Sequence, residues 1–259
     1  MSISSFLNFT FINGFLGLVS LSQYACLFYQ PRAQINRFLL HLLVYVTRNY
    51  ALLHFIDYGT RNKPLIDDVD TPTESYKYEF HVNVITTTAV ECVTHLFITN
   101  SRSTLYGIVY FIPVSFMFEI VFDFFHYIGH RLLHHKYFYK YLHKKHHTFK
   151  HPIAITTFYQ DPLDLIISNS LPTILTLLIF PNISYLQFHF IVVYKNFIEI
   201  SGHTGKILYP SCSFPQFIWL PKILHIELYA EKHDLHHSLN NCNYSKRFSL
   251  WDKLFGTYK

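Results

Sequence analysis

Charge is what this sequence has least of. Only 14% of its 259 residues are Asp, Glu, Lys or Arg, where an ordinary soluble domain carries about a quarter. Half the chain is apolar and 19% is aromatic, and the mean hydropathy is +0.17. So few charges cannot solvate a normal surface, which excludes intrinsic disorder and points to an exterior that faces lipid. Eight glycines leave no room for fibrous architectures, and no repeat of solenoid length occurs. Cysteine is scarce too. Cys26, Cys92, Cys212 and Cys242 stand singly, without CxxC spacing, and read as reduced, buried filler. There is no GxGxxG, no Walker loop and no CxxCH, so any redox chemistry here must take its electrons from a separate donor.

Carboxylates are absent from Phe124 to Gln160, while Arg131, Lys136, Lys140, Lys144, Lys145 and Lys150 fall there. The net charge of +5 is therefore local. A nucleic-acid groove is one reading of such a patch. The apolar segments on either side favour a membrane-adjacent cytosolic face, with no nucleic-acid partner.

Runs without charge set the architecture. Residues 5–29 are long enough to cross hydrocarbon and lack the basic start and small-residue cleavage site of a secretory signal, so they read as an uncleaved anchor. Residues 38–56 are interrupted by His41, Arg48 and His54 and are expected at the interface or packed between helices. The stretch 57–79, with six acids and two prolines, reads as a solvated loop. Residues 82–99, which hold Glu91 and His95, are a weaker candidate span. Residues 105–125 are a stronger one, with Pro113 as a kink. The runs 163–180 and 183–198, separated by Pro181 and Asn182, read as a helical hairpin dipping into the bilayer. No strand-like alternation appears. The expected fold is an all-α polytopic membrane protein with about four transmembrane helices.

Histidine is the surplus, with 18 residues, eight of them between positions 126 and 151. His126 and His130 are four apart, on one face of a helix. His143, His146 and His147 follow as HxxHH, and the same spacing returns as His233, His236 and His237. His203 stands between these last two boxes. A single HxxxH is usually a packing accident, but three boxes in one chain, two of identical spacing, specify metal. Nine imidazoles exceed what one ion can use, so two ions are expected. No box holds Cys, and imidazole suits Fe, Zn, Cu and Ni alike. The lipid setting favours iron, because unactivated C–H bonds need redox chemistry that zinc lacks. His41, His54, His81, His95, His189 and His225 have no such company and read as structural.

The stretch from about Phe122 to Lys259 resembles the fatty acid hydroxylase/sterol desaturase superfamily of membrane-bound di-iron enzymes. The resemblance lies in HYIGH, HKKHH, GHTG and HDLHH, and in the flanking HRLLHH and WDKLFGT. It implies that His126, His130, His143, His146, His147, His233, His236 and His237 ligate two irons, with His203 as a ninth ligand. A tenth is not evident. Glu199 is either a ligand or a carboxylate behind one, and Asp123 and Asp234 are candidates to hold imidazole N–H groups. His134, His135 and His151 fall outside the pattern and read as helix-surface or substrate-side residues. The resemblance further implies an N-terminal membrane-anchoring region, 1–100, and a catalytic region, 101–259, whose cytosol-facing helical cap holds the di-metal site. It implies residence in the endoplasmic reticulum, a lipid substrate and electrons from cytochrome b5. The tail resembles most the sterol side-chain and methyl-sterol oxidase branch, so sterol hydroxylation is the expected reaction. Desaturation, acyl or sphingolipid hydroxylation and zinc hydrolysis are the alternatives.

Overall fold

The structure, a computed structural model, describes residues 3–28, 34–68, 72, 74–96, 104–208 and 213–259. The expected boundary at residue 100 and Cys212 lie outside them. Three long helices come first, α1 (Ile3–Phe28), α2 (Gln34–Thr60) and α3 (Glu74–Leu96). They are followed by α4 (Thr104–Val109), α5 (Phe111–Leu133) and the single turn α6 (Lys136–Phe138). Next are α7 (Pro162–Leu165), α8 (Leu171–Ile179) and α9 (Tyr185–Gly202). The chain ends with α10 (Trp219–Ile223), α11 (Ala230–Leu239) and α12 (Leu250–Leu254). A π-helical turn at Ile166–Ser170 joins α7 to α8, and another at Tyr139–His143 extends α6. No strand occurs among the described residues beyond an isolated bridge of Leu65 with Lys206. The fold is all-α.

Four helices are long and apolar enough to cross a membrane: Phe6–Phe28, Ile35–Thr60, Phe111–Leu133 and Pro162–Ile179. The protein is a polytopic membrane protein, as its composition implied. The membership of the set differs from the sequence reading at two places, and both differences have a physical cause. In α2 two of the three residues that interrupt the apolar run, His41 and Arg48, point inward, while His54 is exposed. Arg48 is buried; it donates from Nη2 to Glu91 Oε2 at 2.6 Å and to Asn49 Oδ1 at 3.0 Å, while Leu39 and Leu43 face out. Its charge is paired inside the bundle, so of the two expectations for this segment, interfacial or packed between helices, the second holds, and α2 joins the helices long and apolar enough to span. The run 183–198 becomes α9, which is buried on every side. It buries Gln187, His189, Lys195, Asn196 and Glu199 along with its apolar residues, as a helix enclosed by protein does. Ile200, Val193 and Phe197 pack with Leu16 of α1, Leu52 and Ile56 of α2 and Val84 of α3. Phe188, Ile191 and Val192 pack with Phe118 and Phe122 of α5.

Local signals explain the element ends. Ser184 caps α9 through its side chain, with Gln187 closing the reciprocal bond. Pro113 does not kink α5; it sits in that helix's first turn. Its ring excludes the carbonyl four residues back, at Val109, where α4 stops. Asn240 ends α11 in the left-handed conformation (φ 62°), donating its N–H to His236 O at 2.8 Å.

The C-terminal residues fasten the cap to α5. Asp252 accepts the N–H groups of Tyr244 and Ser245, both at 2.8 Å, and Trp251 donates its indole N–H to Ile120 O at 3.1 Å. Asp123 accepts the N–H groups of Lys246, Arg247 and Phe248 at 2.8–3.0 Å. Its role is thus to hold that loop, not to orient an imidazole. Arg247 is fully buried between two carboxylates, with Nε 2.9 Å from Glu119 Oε2 and Nη2 2.9 Å from Glu199 Oε1. Cys92 and Cys242 are buried as expected, whereas Cys26 is exposed on α1.

Candidate metal centre

The boxes converge because four chain segments meet at one end of the bundle. α5 delivers His126 and His130, with His134 at its C-terminal cap; the turns after α6 deliver His143, His146 and His147; His203 caps α9; and α11 presents His233, His236 and His237. Two groups form. In the first, His130, His134, His143, His147 and His236 bring one ring nitrogen each to within 4.8 Å of one another. His146, His203, His233 and His237 make the second in the same way.

Hydrogen bonds on the outer edge fix which nitrogen faces in. A carbonyl or carboxylate oxygen can only accept, so a ring nitrogen bonded to one must carry the proton. His130 Nδ1 donates to Tyr244 O (2.8 Å), His143 Nδ1 to Asp164 Oδ2 (2.8 Å) and His236 Nδ1 to Cys242 O (2.7 Å). His203 Nδ1 donates to Glu199 O (2.7 Å) and His237 Nδ1 to Phe149 O (3.2 Å). A neutral imidazole has one N–H, so each Nε2 is a bare lone pair. Yet His130 Nε2 and His143 Nε2 stand 3.1 Å apart, and His203 Nε2 and His237 Nε2 stand 3.3 Å apart. Two lone pairs at that distance repel unless a cation lies between them. The inner contacts of His147 with His143 (3.0 Å) and of His203 with His146 and His233 (3.3 and 3.1 Å) have the same spacing. Nitrogens about 2.1 Å from one ion would lie about 3.0 Å apart at right angles and about 3.4 Å apart in a tetrahedron. His134 Nε2 and His236 Nε2 are buried without a partner. The donor set fits a metal site.

A proton cannot substitute easily for the metal. Burial, reinforced by the neighbouring imidazoles and Lys246, pushes His203 and His236 down to about 3, and holds His146, His147, His233 and His237 well below the ordinary histidine range. With folded values below the unfolded one of about 6.5, the unfolded chain binds more protons in between. The stability these groups contribute is therefore complete above about pH 6.5 and falls as the pH drops toward 3. We expect the metal-free protein in detergent to unfold at a clearly lower temperature at pH 5 than at pH 7.5, measured by circular dichroism; equal midpoints would contradict this account of the site.

Eight of the nine histidines proposed from the sequence fall in the two groups. His126 stands outside both: its Nδ1 donates to Ser168 O at 2.5 Å and its Nε2 has no partner, with its ring 5.0 Å from that of His130. His134, expected to be a helix-surface or substrate-side residue, is a member of the first group. The signal was in the chain, since 126, 130 and 134 continue one i, i+4, i+8 stripe. Asp164 was missed as well; it is fully buried in an otherwise apolar run, which itself marks a functional carboxylate. Asp234 accepts from His151 Nδ1 at 2.9 Å, not from a box histidine. Glu199 contributes its backbone carbonyl to His203, while Arg247 and Asn169 donate to its carboxylate; it belongs to neither group. The test of His134 is direct. His134→Ala should lower bound metal per chain, measured by plasma mass spectrometry, to about the extent of His147→Ala, while His135→Ala, exposed next to it, should not.

The comparisons with known proteins agree with this geometry. The fatty acid hydroxylase family model matches residues 115–257. A fatty acid hydroxylase of Lecanicillium sp is 34% identical over 153 residues, covering 54% of this chain and 40% of that protein. Methylsterol monooxygenase 1 of Rattus norvegicus is 34% identical over 140 residues (53% and 44%), and cholesterol 25-hydroxylase of Homo sapiens is 30% identical over 145 residues (55% and 48%). The matched stretch thus spans about half the length, or less, of each of these relatives. No solved structure matches significantly. The matched segment begins inside α5 and ends beyond α12, so it takes in every histidine of both groups: the chain belongs to the fatty acid hydroxylase family.

Proposed function

We propose that the protein is a membrane-bound di-iron oxidoreductase that uses dioxygen and external electrons to hydroxylate a lipid, with a sterol as the substrate. The observation that carries this reading is the pair of inward-facing lone-pair clusters, each spaced as one ion's ligands would be. His126, His130, His143, His146, His147, His203, His233, His236 and His237 make up the site, joined by His134 as the tenth. His126, outside both groups, stands with its ring 5.0 Å from that of His130 and would serve the first ion through its unpartnered Nε2. Bound iron supplies the reductive activation of dioxygen that an unactivated C–H bond requires. The chain's own part is to hold and exclude. Tyr244, Cys242, Glu199 and Phe149 carbonyls and the Asp164 carboxylate lock the tautomers of His130, His236, His203, His237 and His143, so these five inward nitrogens offer their lone pairs without rearrangement. Burial of the rings keeps bulk water away.

The sterol assignment follows the relatives whose names are sterol enzymes; the acyl alternative follows the Lecanicillium protein. A zinc hydrolase is disfavoured by both. Residues 1–100 act as the anchoring region and 101–259 as the catalytic one, in the endoplasmic reticulum with the site toward the cytosol. Cytochrome b5 is the proposed donor, docking on the exposed Arg131, Lys136, Lys140, Lys144 and Lys150. Lys145 is not part of that face, since it donates to Asn83 Oδ1 at 2.9 Å. Iron-loaded protein supplied with reduced cytochrome b5 and dioxygen should convert cholesterol or a 4-methylsterol to an alcohol, and should do nothing anaerobically. Anaerobic activity, or no product from any sterol or acyl lipid, would refute the reading.

A further inference from the structure

A cavity of about 310 Å³ lies beside the metal centre, within the range of small-molecule sites. Its walls are Phe9 and Ile12 of α1, Phe55 and Ile56 of α2, Phe197 of α9 and, next to the metal centre, His233. Most of this lining is apolar. Two walls come from residues before position 115, outside the segment that matches the family. Phe11 and Tyr58 line the cavity and are also exposed on the outer faces of α1 and α2, at 65% each. The chamber therefore reaches the lipid-facing side of both helices. There Phe55 stacks on Phe15 at 3.8 Å and on Phe11 at 5.4 Å, pinning α1 to α2.

Two further features describe the occupant. Polar groups make up the smaller part of the lining, Thr60 and Ser201 among them, so the occupant it suits has an apolar body and a small polar end. Gly202, the last residue of α9, also lines it. A Cβ there would meet only His233 Cδ2, at 3.8 Å, an ordinary contact. Nothing in the packing demands glycine at this position, and alanine is the better helix former. What glycine provides is empty space in front of His233.

We infer that this cavity binds the apolar body of a sterol, entering from the bilayer between α1 and α2, and that Gly202 keeps the path to His233 open. The N-terminal helices are then specificity elements as well as anchors. This rests on the lipid hydroxylase reading, but it is tested without turnover.

Full-length, iron-loaded protein in detergent, kept anaerobic and without a donor, is titrated with tritiated cholesterol and, in parallel, tritiated palmitate. Iron per chain is measured on the same samples. The parent should bind about one cholesterol. Gly202→Leu should weaken that binding at least tenfold with iron unchanged, and Gly202→Ala should weaken it less. Ile12→Trp fills the cavity from the opposite wall, away from every metal-site histidine, and should have the same effect as Gly202→Leu. Should Gly202→Leu lose iron, Ile12→Trp decides. Unaltered cholesterol binding in the filled variants would overturn the chamber. Palmitate binding with this dependence, in place of cholesterol, would overturn the sterol assignment. Binding as expected, with no oxidation once dioxygen and electrons are supplied, would refute the hydroxylase and leave the chamber standing.

Discussion

His236→Ala is expected to empty the first metal group, although every other box histidine stays in place. His236 is fully buried in α11, and its ring centroid lies 4.5 Å from that of His130 and 4.9 Å from that of His147, which reach the site on other elements. Neither half of the chain can close that group alone. A four-histidine-type site has a binding energy of roughly 10–16 kcal/mol, so one imidazole is worth about 3 kcal/mol, more than a hundredfold in affinity. Bound iron should fall by about half, because the group of His146, His203, His233 and His237 keeps its ligands. Oxidation should be abolished. His41→Ala is the control: His41 Nδ1 donates to Arg37 O within α2, far outside the pattern, and its loss should leave iron content as in the parent. If His236→Ala keeps full iron and full turnover, the grouping is wrong.

Arg247→Met should be the most destabilising single change outside the histidines. The guanidinium is fully buried and stands between Glu119 of α5 and Glu199 of α9. Removing it leaves Glu119 in a low-dielectric interior without its counter-ion, a loss of about 3–5 kcal/mol, while Glu199 keeps Lys195 and Lys246 at 3.4 and 3.8 Å. The backbone of this residue is also tied down, its N–H donating to Asp123 Oδ1 and its carbonyl accepting from Ser213. Side chain and backbone together thus fasten the loop that carries Lys246. The expected outcome is a large drop in thermal midpoint in detergent. Adding Glu119→Gln to the variant should recover part of the loss, since one uncompensated charge is then gone. Arg131→Met, exposed on the surface, should shift the midpoint little. If Arg247→Met unfolds like the parent, the triad is not what joins α5, α9 and the C-terminal loop.

The metal centre was legible because its signal is local. Spacing within a helical turn, repeated three times, needs no knowledge of tertiary structure to be read, and eight of its residues sit where the pattern put them. His134 escaped because the family pattern stops at two histidines on α5, while the helical stripe continues to a third. What faces an imidazole from behind was not legible, since the partners are mostly backbone carbonyls such as Tyr244 and Cys242, which no side-chain motif announces. The same limit explains Asp123, which lies one turn from His126 in sequence but turns its carboxylate to the backbone of 246–248. Hydropathy gave about four spans but passed over α2 and counted α9. Composition alone cannot tell a helix buried in protein, α9, from one bathed in lipid, nor see that Arg48 in α2 has Glu91 waiting on α3.

That ion pair bears on how the chain enters the bilayer. Arg48 falls at the middle of the span Ile35–Thr60, where an unpaired arginine costs about 2.5–3.5 kcal/mol on insertion. Alone, α2 would be held back at the membrane surface. Its partner is carried by the next long helix, and Asn49 adds a second tie by donating to Thr88 Oγ1 at 2.9 Å. α2 therefore has to wait for α3 and partition with it as a pair, the charge neutralised before it meets hydrocarbon. Biogenesis of this protein is then sensitive to α3 from the start. In a chain truncated after Thr60, a cysteine introduced into the second segment should stay open to a membrane-impermeant thiol reagent, and in one extended through Leu96 it should not.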